Sequence, residues 1–195
     1  MKLSRAPSTT ATCRGYRGDG RTPYDSASET RIMKPISIPL ADAAATARLG
    51  EALAPVLRAG DIVCLSGPLG AGKTTLARGL IAAATGEKEA PSPTFALVET
   101  YEGAAAPISH FDLYRLEKPD DAWELGLEDA FDNAISIIEW PERIEQIIPA
   151  DALIIRLDHH GGARHAVIVG AGAWEARLAA AGISALAEGS KKDAE

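Results

Sequence analysis

The chain has 195 residues, 46% of them hydrophobic, which suits one domain of ordinary soluble type with room for a three-layer core and gives no sign of a second. No apolar run approaches the ~20 residues a bilayer span needs, and two cysteines, Cys13 in a polar segment and Cys64 in an apolar one, rule out a disulfide framework or a zinc site, as expected of a reducing cytoplasm. The net charge of −7 is uneven: residues 1–32 carry six basic against three acidic side chains, a local +3 that leaves −10 for the rest, so the folded part lacks the basic face with which a protein grips nucleic acid alone.

Residues 1–32 are rich in Ser, Thr, Arg, Gly and Asp without periodic apolar spacing, and are expected to be a disordered leader, with Met33 a natural start for an ordered domain over 33–183. Lys34–Leu40 reads as a short edge strand, because Pro35 and Pro39 cannot donate to a ladder. Asp42 can cap a helix whose Ala45, Leu49, Leu53 and Leu57 form an apolar stripe ended by Gly60. Ile62–Ser66 is a buried strand, and Thr75–Ile81 continues as a helix with Leu76 and Leu80 on one face, closed by Gly86. A polar stretch with Pro91 and Pro93 leads to a strand over Phe95–Tyr101, a turn over Ala104–Pro107 and a strand over Ile108–Tyr114, the two strands pairing as a hairpin. Asp120–Gly126 and Leu127–Phe131 have broken helical patterning. Ala134–Trp140 is a nearly continuous apolar run ending in an acid, as in a buried parallel strand, and Pro141 opens a short helix to about Ile147. Strands over Ala152–Leu157 and Ala166–Val169 meet at a turn at Gly161 and Gly162; a last helix, Ala173–Ala180, precedes a charged tail over 184–195. The alternation of strands and helices predicts an α/β, three-layer fold with a mostly parallel central sheet, and the segment GPLGAGKT that follows Ile62–Ser66 makes it P-loop NTPase-like.

Between the strand Ile62–Ser66 and its helix lies GPLGAGKT, which fits the phosphate-loop pattern G-x-x-x-x-G-K-[ST] with Gly67, Gly72, Lys73 and Thr74. Glycines at 67, 70 and 72 let the backbone curl so that amides from Gly67, Leu69, Gly70, Ala71, Gly72 and on to Thr75 face an anion at a helix start. Lys73 adds a mobile charge for the outer phosphates, and the Thr74 hydroxyl can join the shell of Mg²⁺.

Further ligands are needed for ATP hydrolysis, and two acids stand out. Glu139 ends the apolar run, where an unpartnered charge is costly and a metal-facing acid belongs. Asp112, between Phe111 and Leu113, faces either solvent alone or the same crevice; two close carboxylates are tolerable with a shared cation between them. The Thr94 hydroxyl, in a polar turn, can sense a terminal phosphate or act as a local cap, and Trp140 can pack beside a nucleotide or close the core. His110 reads as structural, and His159, His160 and His165 lack metal-ligand spacing. Glu117-Lys118-Pro119-Asp120 has the spacing of a guanine-recognition turn, but Glu stands where Asn is required, which favours ATP over GTP.

Taken together, Gly67 to Thr75, Ser92 to Phe95, His110 to Arg115 (HFDLYR) and Ile138 to Glu142 (IEWPE) resemble the TsaE family, formerly YjeE, of bacterial ATPases, in order and spacing, over about residues 36–170. The resemblance implies a part in forming threonylcarbamoyladenosine in tRNA, acting with the TsaB and TsaD proteins in the cytoplasm and touching tRNA only through that complex. It further implies ATP and Mg²⁺ as ligands, Lys73, Glu139 and Thr94 as catalytic residues, Thr74, Asp112 and Glu139 as the metal shell, and Trp140 near the nucleotide. One departure is Pro68, where the family usually has Asp or Glu; Pro lacks an N–H, so one loop donor is missing.

Two other functions fit the loop. A small-molecule kinase needs an arginine-rich lid, for which Arg115 and Arg143 are the nearby residues; a nucleotide-gated binding module needs no hydrolysis at all. No arginine finger in cis can be assigned from the sequence, so slow hydrolysis by the chain alone is expected.

Overall fold

Ile62–Ser66, Ile108–Asp112 and Ile135–Glu139 are buried almost without interruption, so alternation cannot give them a wet face and each needs cover on both sides. The computed structural model, which describes residues 32–86, 93, 96–160 and 163–189, supplies that cover. In chain order the elements are β1 (Ile36–Leu40), α1 (Ala43–Leu53), β2 (Ile62–Ser66), α2 (Lys73–Thr85), β3 (Val98–Tyr101), β4 (Ile108–Asp112), α3 (Leu127–Asn133), β5 (Ile135–Glu139), β6 (Leu153–His160), β7 (Ala163–Val169), α4 (Trp174–Ala180) and α5 (Ile183–Gly189), joined in places by short 3₁₀ turns.

The strands form one 7-stranded sheet in the order β1-β7-β6-β2-β5-β4-β3. The central strands β6, β2, β5 and β4 are parallel; β7 and β3 run against them, and β1, antiparallel to β7, returns to the common direction. The α/β, mostly parallel expectation holds, since five of the seven strands share one direction. β2 shows the layering: Val63 and Leu65 join the core beneath α1 and α2, whereas Ile62 and Cys64 join a second core with Phe111, Leu127 and Ile138 beneath α3.

Several boundaries differ from the expected ones. α1 stops at Leu53 because Pro55 cannot continue it; Ala54–Val56 tightens into a 3₁₀ turn, leaving Leu57 buried beyond the helix. β3 begins at Val98, since Leu97 has φ 64 and cannot sit in a strand, and Phe95 lies outside the described residues. β4 stops at Asp112, and its pairing with β3 confirms the hairpin. The helix expected from Pro141 is two 3₁₀ turns, Pro141–Arg143 and Glu145–Ile147, interrupted at Ile144 (φ −136). β6 and β7 are longer than their apolar runs because pairing continues out to His160↔Ala163; the turn at Gly161 and Gly162 lies outside the described residues.

Order also extends further at both ends than expected. Ile32, one residue before the expected start at Met33, bridges Ala171, and residues 1–31 are outside the description. At the other end α5 carries the fold to Gly189 rather than 183, with Ile183 fully buried; its tail 190–195 is outside the description. Among the described residues no helix is long and apolar enough to cross a membrane.

Candidate active site

Three parallel strands end side by side. Leu65, the last apolar residue of β2, is in register with Glu139 of β5, and Glu139 is in register with Asp112 of β4. In-register residues of neighbouring strands point to the same side, so the strand ends bring both acids beside the loop that leaves β2. Gly67 opens that loop at φ 132, and a Cβ there would lie 2.0 Å from the Leu157 carbonyl oxygen of β6, so no other residue fits. Lys73 is then the first residue of α2, 4% exposed, and Thr74 follows.

These side chains already touch. Lys73 Nζ donates to the carbonyls of Gly67 (2.7 Å) and Pro68 (2.9 Å) and sits 3.7 Å from the centre of the Trp140 ring. Thr74 Oγ1 donates to Glu139 Oε2 at 2.9 Å, while Glu139 Oε1 lies 3.0 Å from His110 Nε2, with the histidine fully buried. Both oxygens of Glu139 are thus fixed, one toward the helix start and one toward β4. Asp112 Oδ1 accepts the Tyr114 N–H at 3.2 Å, and the Asp112 N–H is taken by the Leu97 carbonyl at 3.0 Å.

A cleft of about 380 Å³ opens over this cluster, and Leu69, Gly70, Gly72, Lys73, Thr74, Thr75, Asp112, Glu139 and Trp140 all line it. Tyr114, Arg115 and Arg164 complete the wall. Trp140 holds its position at φ 62, a left-handed conformation that costs a non-glycine residue roughly 1–2 kcal/mol. Its N–H reaches the Leu65 carbonyl at 3.2 Å, and its ring meets Tyr114 with centroids 4.9 Å apart. Strain of this kind persists where surroundings over-determine it, here by turning the ring over Lys73 immediately after the acid.

Burial governs the electrostatics. It pushes the Asp112 carboxyl above its ordinary range, Glu139 reinforcing the rise, while the Tyr114 N–H, His110 and Lys73 oppose it. Burial also lowers the Lys73 ammonium, against the pull of Glu139, Glu142 and Asp112. Two neighbouring buried acids, one of them hydrogen-bonded to a hydroxyl, form a hard oxygen donor set. Such a set fits Mg²⁺, which takes one or two carboxylates and fills its octahedron with water and substrate phosphates.

The expected residues Gly67, Lys73, Thr74, Asp112, Glu139 and Trp140 therefore come together, and the question left open for Asp112 resolves toward the crevice. Thr94 lies outside the described residues. Among the kinase-lid arginines, Arg143 is tied to the Tyr114 carbonyl at 3.0 Å. His110 has a role the sequence reading did not give it, as the hydrogen-bond partner of Glu139. Arg164 was missed altogether, although a signal was there: it shares strand parity with Ala166 and Ile168, both fully buried, and an arginine on a buried face calls for an explanation.

The chain is similar to known proteins over most of this region. The family model for Threonylcarbamoyl adenosine biosynthesis protein TsaE matches residues 40–166. A Rickettsia conorii protein named tRNA threonylcarbamoyladenosine biosynthesis protein TsaE is 40% identical over 114 residues, covering 58% of this chain and 65% of its own, so the match spans just under two thirds of that relative. A protein of the same name from Streptomyces coelicolor is 38% identical over 147 residues, covering 71% of this chain and 97% of its own. The crystal structure of Bacillus subtilis YdiB superposes with a TM-score of 0.65 at 25% identity, over 76% of this chain and 94% of that one.

Proposed function

The chain belongs to the TsaE family, and from that premise we propose that it is a Mg²⁺-dependent ATPase that serves the formation of N6-threonylcarbamoyladenosine in tRNA, acting in the cytoplasm with TsaB and TsaD. The observation that carries the ATPase part is the convergence of Lys73, Thr74, Asp112 and Glu139 on one cleft above a glycine loop. Three of them are hydrogen-bonded or in register with one another, as a triphosphate site requires.

Each side chain then has a task. Lys73 exchanges the Gly67 and Pro68 carbonyls for the outer phosphate oxygens, and in doing so leaves the Trp140 ring. Thr74, whose hydroxyl donates to Glu139 Oε2, would offer its oxygen to Mg²⁺ when the metal is bound. Glu139 orients the water that attacks the terminal phosphorus and receives its proton while the bond to the bridging oxygen breaks and ADP leaves, with His110 holding the other carboxylate oxygen in place. Asp112, in register with Glu139 on the same cleft, would hold the Mg²⁺ together with Glu139 and Thr74. Bound Mg²⁺ would offset the charge gathering on the outer phosphates. Tasks of this kind drive or reset a complex; the threonylcarbamoyl transfer itself is assigned to TsaD, and the tRNA is held by the partners.

The test combines two measurements on Glu139→Gln, which keeps the shape of the side chain. The variant is expected to bind ATP, to lose Mg²⁺-dependent hydrolysis by at least about a hundredfold, and to fail to restore modified tRNA in cells lacking their own family member. Normal tRNA modification by a variant that binds but does not hydrolyse ATP would refute the ATPase role and leave a nucleotide-gated binding module. For the wild type, turnover is expected to rise when TsaB and TsaD are added; equal rates with and without them would count against the partnership.

A further inference from the structure

Arg164 is the second residue of β7, flanked in register by Leu40 of β1 and His159 of β6. Its side chain lies along the phosphate loop: a Cβ built on Gly72 would be 3.2 Å from Arg164 Cδ and 3.4 Å from Nε. Thr46 of α1 closes the same spot, its Cγ2 at 3.3 Å from that position. Nε is buried, and among the described residues no acceptor reaches it. Arg177, a comparably enclosed arginine, shows what saturation looks like: it donates to both carboxylate oxygens of Asp61 and to the Val56 carbonyl. A buried guanidinium N–H without an acceptor is costly, and Arg164 lines the same cleft as Lys73 and Thr74, so the missing partner is an anion that enters that cleft.

Sheet order says which part of the anion. Asp112 and Glu139 belong to β4 and β5, on one side of β2; Arg164 comes from β7, beyond β6 on the other side. A nucleotide whose outer phosphates face the two acids turns its inner phosphate and nucleoside toward the β6–β7 hairpin. We infer that Arg164 binds the inner phosphate of the nucleotide through Nε and its neighbouring amine, making it a determinant of affinity for ATP and ADP alike. It does not act on charge developing at the terminal phosphate. The inference rests on the nucleotide reading of the cleft given above.

The experiment is equilibrium binding of MgADP and of a non-hydrolysable MgATP analogue to the full chain, with Arg164→Gln, Arg164→Lys and, as a control for net charge, Arg156→Gln. Arg156 is an exposed β6 residue paired with Asp158 at the surface. Arg164→Gln is expected to weaken both nucleotides by a similar factor, about tenfold or more. Arg164→Lys recovers only part of the loss, because an ammonium cannot present two coplanar donors, and Arg156→Gln stays within about twofold, as a screened surface charge should. ADP affinity unchanged in a folded Arg164→Gln protein overturns the inference, whether or not turnover falls. If Arg164→Gln does not fold, ADP binding at wild-type strength by Arg164→Lys overturns it instead. Failure of the wild-type chain to bind either nucleotide would instead remove the nucleotide reading itself.

Discussion

At the scale of single residues, Asp112 shows function set against stability. Burial raises its pKa above the unfolded value of 3.8. Between 3.8 and the raised value the folded chain keeps a proton that the unfolded chain has released, so stability falls as pH rises through that window, and the loss persists above it. Asp112→Asn keeps the oxygen that accepts the Tyr114 N–H and removes the charge. The nucleotide-free variant is therefore expected to melt at a higher temperature than wild type at neutral pH and with a flatter pH dependence in the range just above pH 3.8. Mg²⁺-dependent ATP turnover is expected to fall by at least about a hundredfold in the same variant, since the group it removes is one of those proposed to hold the metal. Calorimetry across pH checks the first half; a lower melting temperature at neutral pH would show that the carboxylate is stabilised in the fold after all.

At the scale of elements, the loop is held by the crossing of α1 on α2, and that crossing depends on two glycines inside helices. A Cβ on Gly79 would lie 2.2 Å from the Ala47 carbonyl oxygen, and one on Gly50 would lie 2.2 Å from the Leu76 carbonyl oxygen. Propensity alone argues for alanine, by about 1 kcal/mol in a helix interior. The obstacle is backbone, which cannot rotate away, and overpacking costs about 1–3 kcal/mol or more. A 2.2 Å backbone clash puts the overpacking at the upper end, about 3 kcal/mol against about 1. Gly79→Ala is therefore expected to destabilise the fold by about 2 kcal/mol net, read from denaturant midpoints, and a gain in stability would mean the helices separate freely. Neither glycine announced this in the sequence, where mid-helix Gly reads only as a weak spot. The parts that were legible, β2 with its loop and β5 with Glu139, combine a continuous apolar run with a chemically forced ending. What escaped was set by contacts between distant segments: the Leu97 kink, fastened to Asp112 through its carbonyl; the left-handed Trp140; and Arg164, delivered to the cleft by pairing of β7 with β6.

At the scale of the whole molecule, the sheet order explains how a short chain gathers the cleft for which a triphosphate is proposed. The parallel ends of β2, β5 and β4 meet on one edge of the cleft, and the antiparallel β6–β7 hairpin walls the other. Around that site the charge is lopsided, with −10 over residues 33–195 against +3 over residues 1–32. A polyanion of tRNA size meets net repulsion from such a domain, and phosphate contacts that release counterions are what give proteins steep, salt-sensitive affinity for nucleic acid. The full chain alone is therefore expected to bind tRNA no more tightly than the non-specific range of about 10⁻⁴ to 10⁻⁶ M at physiological salt. Fluorescence anisotropy at low and physiological salt checks this. Nanomolar binding that collapses as salt rises would mean that the basic leader, or a face of the fold, grips the RNA directly, and the division of labour in which partners hold the tRNA would have to be abandoned.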